Sequence, residues 1–343
     1  MKHAKQMKKM EKMEGLKDKK LEDLFLVKEE SSTSEDYGFY PFNRPVREYI
    51  RNGVVCIDKP AGPTSHEVVV WVRKILEVNK TGHAGTLDPK VTGVLPVLIE
   101  NATKLVKFLQ TSEKEYVALM RLHSDADERA IRETFNLFKG KIYQRPPLKS
   151  AVKKRIRIRE IYETEILEID GRDVLFRVRT EAGTYIRKLC TDIGEIIGTG
   201  AHMQELRRTK TGVFRENDAF TLHELLDAYR IYQENGDETF LREIIKPMEV
   251  AVRDVKKIVV KDSAVDAICH GADLSARGIC FIQKGIERDD VVAIFTLKNE
   301  IVALGKALAS AEEIYRARSG IMVEINRVIM ERGVYPKMWK STS

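Results

Sequence analysis

From Val255 onward the chain runs through five short apolar stretches, KKIVV, ICFIQ, VVAIFTL, IVALGKAL and IMVEINRVIM, set apart by glycine or charged residues. Short strands spaced this closely predict a small β-barrel, with its boundary near residue 252. Upstream the pattern changes. VVCI reads as a short buried strand. Thr64 stands three residues before Glu67, a capping box. Val68, Trp71, Val72, Ile75 and Leu76 follow at helical spacing, so 64–78 is expected to be an amphipathic helix. ATKLVKFLQ and DERAIRETFNLFKG read as helices and EKEYVALMRL as a strand. Two strands flank the Asp170-Gly171 turn, and AGTYIRKLCTDIGEIIG is a helix closed by Gly198. These elements show no regular βαβ alternation, and no GxGxxG or GxxxxGK[ST] run is present. The expected class is therefore α+β with a mixed, mainly antiparallel sheet, plus the small β-barrel.

A chain of 343 residues is long enough for two domains. No run approaches the roughly 18 apolar residues of a membrane helix. The first 20 residues hold eight lysines and no apolar core of a signal peptide, so a cytoplasmic location is expected. Cys56, Cys190, Cys269 and Cys280 lack CxxC spacing and read as reduced core residues, not a zinc site. The net charge of +7 allows a polyanionic partner. Much of it is local: residues 141–160, KIYQRPPLKSAVKKRIRIRE, carry eight basic side chains and one acidic. Arg155, Arg157 and Arg159 alternate there with Ile156 and Ile158. Period two predicts a strand with one cationic and one apolar face. Such a row of guanidiniums would track phosphates, the plainer alternative being a solvated basic edge.

GHAGTLDPKVTG, residues 82–93, places three glycines and a proline around one carboxylate, Asp88. Ordinary turn chemistry explains an Asp-Pro pair taken alone. Together with KPAGPTSHEVV, EKEY at 113–116, AGTYIRKL and GAHMQELRRTKTG at 200–212, the stretch resembles the TruB family of pseudouridine synthases. The C-terminal third, with HGADL at 270–274, resembles a PUA domain, an RNA-binding pseudobarrel. YQRPPLKSAVK and AHMQELRRT are most similar to the dyskerin-type branch, the catalytic subunit of H/ACA ribonucleoproteins. The resemblance covers roughly residues 40–337, and the short end YPKMWKSTS points to an archaeal-type member.

Residues 1–36, largely outside the resemblance, read from their composition as a basic, mobile arm; the resemblance implies a catalytic domain over 37–252, with 37–50 as an extended lead-in. It implies a PUA domain over 253–337. It makes Asp88 the catalytic carboxylate, with Arg187 paired to it. Tyr116 stacks on the flipped uracil and helps remove the proton from the ring carbon, and Tyr185 and Leu206 line the base pocket. His83 and Lys59 are expected near RNA, Lys59 as a structural or phosphate contact. Lys149, Lys153, Arg155, Arg157, Arg207 and Arg208 are expected to face phosphates. His270, Gly271, Ala272 and Leu274 form the expected contact loop for the guide's ACA tail.

The implied activity is isomerisation of uridine to pseudouridine in rRNA, directed by an H/ACA guide RNA. The alternatives are a stand-alone tRNA T-loop synthase and a non-catalytic RNA scaffold. Implied partners are the guide, the rRNA or tRNA substrate, small Nop-type and Gar-type proteins and a kink-turn-binding ribosomal-type protein; no membrane is involved. The reaction needs no cofactor, metal or redox change. It needs one carboxylate beside the anomeric carbon, where a glycoside hydrolase normally needs two.

Overall fold

The computed structural model describes residues 21–145 and 155–337. They form two compact units. One holds 54–99 and 106–245; the other holds 21–53, 100–105 and 246–337.

The first unit is built on a mixed, mainly antiparallel sheet. Its strands lie in the order Gly53–Lys59, Thr92–Ile99, Ala201–Thr211, Lys114–Leu122, Asp173–Thr180, Arg157–Asp170 and Gly140–Gln144. Lys114–Leu122 is paired on both sides, and Ala118, Met120 and Leu122 point into the core at period two. The helix Ile186–Ile197 covers that face with Ile186, Leu189 and Ile193 and ends on Gly198 at φ +89°. The Ser65–Ile75 helix starts with its capping box formed in both directions between Thr64 and Glu67. Its buried arc is Val68, Val69, Val72 and the following Leu76. Trp71, expected on that arc, is 40% exposed. At about 100° per residue it lies beyond Val68, on the side away from Val69.

The second unit carries a sheet in the order Phe25–Val27, Ile279–Gln283, Lys256–Val260, Val291–Thr296, Ile301–Ala307, Ile321–Val328 and Leu274–Ser275. All five C-terminal apolar runs are strands. The outer strand corrects part of the mobile-arm expectation. Phe25–Val27 pairs antiparallel with Phe281–Gln283, and Lys28 Nζ donates to the carbonyls of Ile314 at 2.9 Å and Tyr315 at 2.8 Å. Residues 1–20 lie outside the described residues.

The lead-in 37–50 packs within this unit, not with the sheet that carries Asp88. The reason is a set of buried carboxylates that need donors. Arg44, 4% exposed, donates to both oxygens of Glu249 at 2.9 and 2.7 Å. The Phe39 amide and the Tyr335 hydroxyl donate to Glu300 at 2.9 Å each. A Cβ on Gly38 would lie 2.3 Å from that carboxylate.

The four cysteines are buried and unpaired, and burial pushes the thiols of Cys190, Cys269 and Cys280 up to about 12. Among the described residues no helix is long and apolar enough to cross a membrane.

Glu249→Ala would remove the bidentate carboxylate of the buried Arg44 guanidinium and leave Glu300 at 3.9 Å. We expect a loss of about 3–5 kcal/mol in denaturant unfolding of the full chain. An unchanged midpoint would show that this pair does not anchor the lead-in.

Candidate active site

Asp88 sits in the loop between Thr81–His83 and Thr92–Ile99. Backbone contacts fix this loop at several points. The Val91 amide donates to Asp88 O at 3.0 Å and the Gly62 amide to Pro89 O at 2.9 Å. Ser65 Oγ accepts from the Leu87 amide at 2.8 Å and donates to the Leu87 carbonyl at 3.1 Å. Gly93 has φ +101°, and a Cβ there would lie 2.2 Å from the Arg208 carbonyl. Only glycine lets the two strands meet at that point.

Three cations are buried beneath the loop, and each is held by carbonyl oxygens. Lys59 Nζ donates to Pro60 O at 2.8 Å, Pro89 O at 3.0 Å and Val91 O at 2.8 Å. Lys114 Nζ donates to Leu109 O, Gln110 O and Ser112 O at 3.1, 2.7 and 2.6 Å. Arg208 Nε donates to Val94 O at 2.8 Å and its NH2 to Gly85 O at 3.1 Å. Burial, then the neighbouring Arg208, pushes Lys114 down to about 7. Burial lowers Lys59 as well, with the Asp88 charge opposing. Both Lys59 and Arg208 are sealed from solvent: of the two alternatives for Lys59 this leaves the structural one, and for Arg208 it corrects the expected phosphate contact.

Asp88 itself lies outside this seal. Its Oδ2 forms an ion pair with Arg187, and both side chains are more than half exposed. Arg187 stands in the first turn of the Ile186–Ile197 helix. Tyr185 caps that helix and is clamped by Gln144: the Tyr185 amide donates to Gln144 Oε1 at 2.9 Å, and Gln144 Nε2 to the Tyr185 carbonyl at 3.1 Å. Tyr116 is the antiparallel partner of Arg208, and Ala118 of Leu206. Residues two apart share a sheet face, so Tyr116, Leu206 and Arg208 lie on one face. Tyr116 and Leu206 are partly buried against the core. Asp88, Arg187, Tyr116, Tyr185 and Leu206 all belong to the first unit.

The expected phosphate contacts fare less well. Arg207 is consumed by acids: a bidentate pair with Asp58 at 2.9 and 3.1 Å, and Glu216 on Nε. The expected cationic strand begins only at Arg157 and is inverted. Ile156 and Ile158 are 58% and 52% exposed, while Arg159 turns inward to Glu181 at 3.3 Å. Arg157 Nε is also buried. Arg155 is exposed and precedes the strand. Lys149 and Lys153 lie outside the described residues. His83 is half-buried, and burial, followed by the Arg208 charge, lowers its basicity.

In the second unit, His270, Gly271 and Ala272 are exposed at the end of the Asp262–Cys269 helix, with Gly271 at φ +92°. His270 Nδ1 is 2.8 Å from Asp266 O. Leu274 is 1% exposed and belongs to the core, which removes it from the expected contact loop.

Sequence reasoning missed Ser65, Lys114 and Gln144 as loop and helix clamps. Lys114 had a signal, since it sits two residues before Tyr116 in EKEY. A lysine whose folded-state affinity for protons is lowered disfavours the fold while it is charged. That penalty disappears as pH rises from about 7 toward the unfolded-chain value near 10.4. Lys114 therefore makes stability rise with pH over that window. Lys114→Met should flatten the difference in unfolding midpoint between pH 7 and about 9.5. An identical pH difference in both proteins would mean that Lys114 does not titrate there.

A family model for the TruB family pseudouridylate synthase N-terminal domain matches residues 73–186, and one for the tRNA pseudouridylate synthase B C-terminal domain matches 187–253. A PUA domain model matches 256–329, and a DKCLD domain model matches 16–69. A probable tRNA pseudouridine synthase B of Archaeoglobus fulgidus is 68% identical, covering 94% of this chain and 99% of that protein. Its counterpart in Methanocaldococcus jannaschii is 58% identical over 96% of this chain and 98% of its own length. A solved H/ACA RNP bound to a substrate RNA containing 2′-deoxyuridine holds a chain 51% identical, with TM-score 0.85, covering 92% of this chain and 97% of that one. A Cbf5-Nop10-Gar1 complex holds one 53% identical, also with TM-score 0.85, covering 91% and 96%. With its catalytic motifs in order and its PUA domain in place, this chain belongs to the TruB family of pseudouridine synthases.

Proposed function

We propose that the chain isomerises uridine to pseudouridine under the direction of a guide RNA, as the catalytic subunit of an H/ACA particle. The observation that carries the guided reading is likeness at 51–53% identity, over nine-tenths of the chain, to subunits of solved H/ACA assemblies. Small Nop-type and Gar-type proteins, a kink-turn-binding ribosomal-type protein and the guide are the partners this reading assigns. A second reading, direct action on tRNA, is favoured by the names of the relatives that are 68% and 58% identical.

Asp88 is the reacting carboxylate in this proposal, placed at the ribose anomeric carbon. The C1′–N1 bond breaks, the uracil turns, and C1′ joins C5. The proton on C5 leaves and N1 gains one, so the product is an isomer. Arg187 holds Asp88 Oδ2, which leaves Oδ1 toward the sugar. Tyr116 and Leu206 cover the base on the sheet face, and Tyr185 is steadied by Gln144. The exposed His270–Ala272 turn is the contact proposed for the guide's tail, with Arg155 at the phosphates and His83 against the RNA backbone. Base extrusion costs a few kcal/mol in paired RNA, so presenting the uridine unpaired is the guide's contribution.

Tritium release from C5-labelled uridine tests this. An rRNA fragment with guide and partner proteins should release tritium, and omitting the guide should stop it. Release from a tRNA transcript alone would establish the second reading. Asp88→Asn should slow release by about 10³-fold or more while guide binding is unchanged. Loss of binding together with activity would mean that Asp88 is a structural residue and not the reacting carboxylate.

A further inference from the structure

Arg187 is the second residue of the Ile186–Ile197 helix, so it stands in the turn that frays first. Its ion pair with Asp88 is exposed, and a pair of that kind is too weak to hold a helix start in place. Local sequence does not hold it either: the Tyr185 side chain makes no cap hydrogen bond, and no acid stands in the first turn. Gln144 does hold it, from a strand 41 positions earlier. Its side chain is 1% exposed, and both ends of its amide are used on one residue. Oε1 accepts from the Tyr185 amide, and Nε2 donates to the Tyr185 carbonyl. That carbonyl also accepts the first bond of the helix, from the Leu189 amide at 3.0 Å. The turn before Tyr185 is tied to the same hairpin. Gln144 is the partner of Arg157 across the strand pair, and two residues further on Arg159 reaches Glu181. The Glu181 amide donates to Glu160 O at 2.8 Å, and the Glu160 amide to Glu181 Oε2 at 3.2 Å. At Gly183, φ +81°, a Cβ would lie 3.3 Å from the Arg159 guanidinium.

We infer that Gln144 is a positioning residue for the reaction: by fixing the Tyr185 backbone it sets where the helix begins, and so aims Arg187 at Asp88 and the Tyr185 ring at the base. The inference rests on the roles proposed for Asp88, Arg187 and Tyr185. Without the Gln144 amide, the part-buried amide and carbonyl of Tyr185 lose their partners, and the first turn is free to open. Arg187 would then meet Asp88 in only part of the population. Gln144 is buried and does not itself meet RNA, so its loss should slow the chemical step and leave binding alone.

The test follows tritium release in single turnover, with the guided particle in excess over substrate and Gln144→Met as the variant. We expect the rate constant at saturation to fall about 10²-fold at full amplitude, with guide affinity and the half-saturating particle concentration within about twofold of wild type. A merely structural role predicts the converse: a smaller amplitude, from particles that fail to assemble, at an unchanged rate constant. That result, or a change confined to half-saturation, overturns the inference. Gln144→Glu replaces the Met variant if the latter does not assemble, since it keeps the length and the acceptor and, once ionised, loses the donor; the same outcomes apply. If neither variant assembles, exchange of the Tyr185 amide in the wild-type particle decides. An amide at the helix start has no partner within its helix, so slow exchange there reports the Gln144 bond and supports the inference. Exchange as fast as in an unstructured chain overturns it. Failure of the wild-type particle to release tritium would sink the underlying reading, whereas wild-type release matched by the Gln144 variants would sink this inference alone.

Discussion

The Lys59 ammonium is enclosed by three backbone carbonyls, two of them from the turn that follows Asp88. The geometry of the site depends on this contact. Lys59 ends the Gly53–Lys59 strand, and its partner across the sheet is Gly93. Gly93 in turn meets Arg208 on the next strand. The segment from Gly85 to Val94 is therefore held at both ends and in the middle by cations that cannot exchange their acceptors for water. Each charge-assisted hydrogen bond is worth more than a neutral one, and breaking one leaves a buried charge exposed to its full desolvation penalty.

This arrangement separates two jobs. The Asp88–Arg187 pair is exposed, and an exposed ion pair contributes only about 0–1 kcal/mol. Arg187 cannot be what places the carboxylate. The backbone clamps place it, and Arg187 orients one of its oxygens. Asp88 lies outside the seal, open to solvent, as the role proposed for it requires. Because Lys59 and Arg208 lie inside and bind its carbonyls, the loop does not have to be rebuilt when RNA arrives. The reaction asks for one carboxylate at a defined point, and positioning of that kind is where a large part of a rate enhancement can originate.

The elements with strong periodicity were legible in the sequence. The five C-terminal strands, the Thr64 capping box, the Gly198 stop and the Asp170-Gly171 hairpin follow local rules that tertiary packing did not override. The pairing of Asp88 with Arg187 was legible through motifs. Basic residues were the main failure. Arg207 and Arg208 read as phosphate contacts, and Lys59 as a structural or phosphate one, because a sequence shows charge without burial; Lys59 and Arg208 are sealed inside, and Arg207 is spent on Asp58 and Glu216. The Arg155–Arg159 alternation has the right period and the wrong face: a strand pattern cannot say which side the core lies on when Arg159 finds Glu181. The contribution of residues 25–44 to the second unit was invisible for another reason. It depends on pairings such as Arg44 with Glu249, 205 positions apart.

The most direct test of a loop set in advance by buried cations is amide hydrogen exchange over residues 83–93, in the free protein and in the guided particle with substrate. Such a loop should be protected already in the free protein, with little further protection when RNA binds. Fast exchange in the free protein, with protection only in the complex, would mean that RNA orders the loop and would contradict the central role of Lys59 and Arg208.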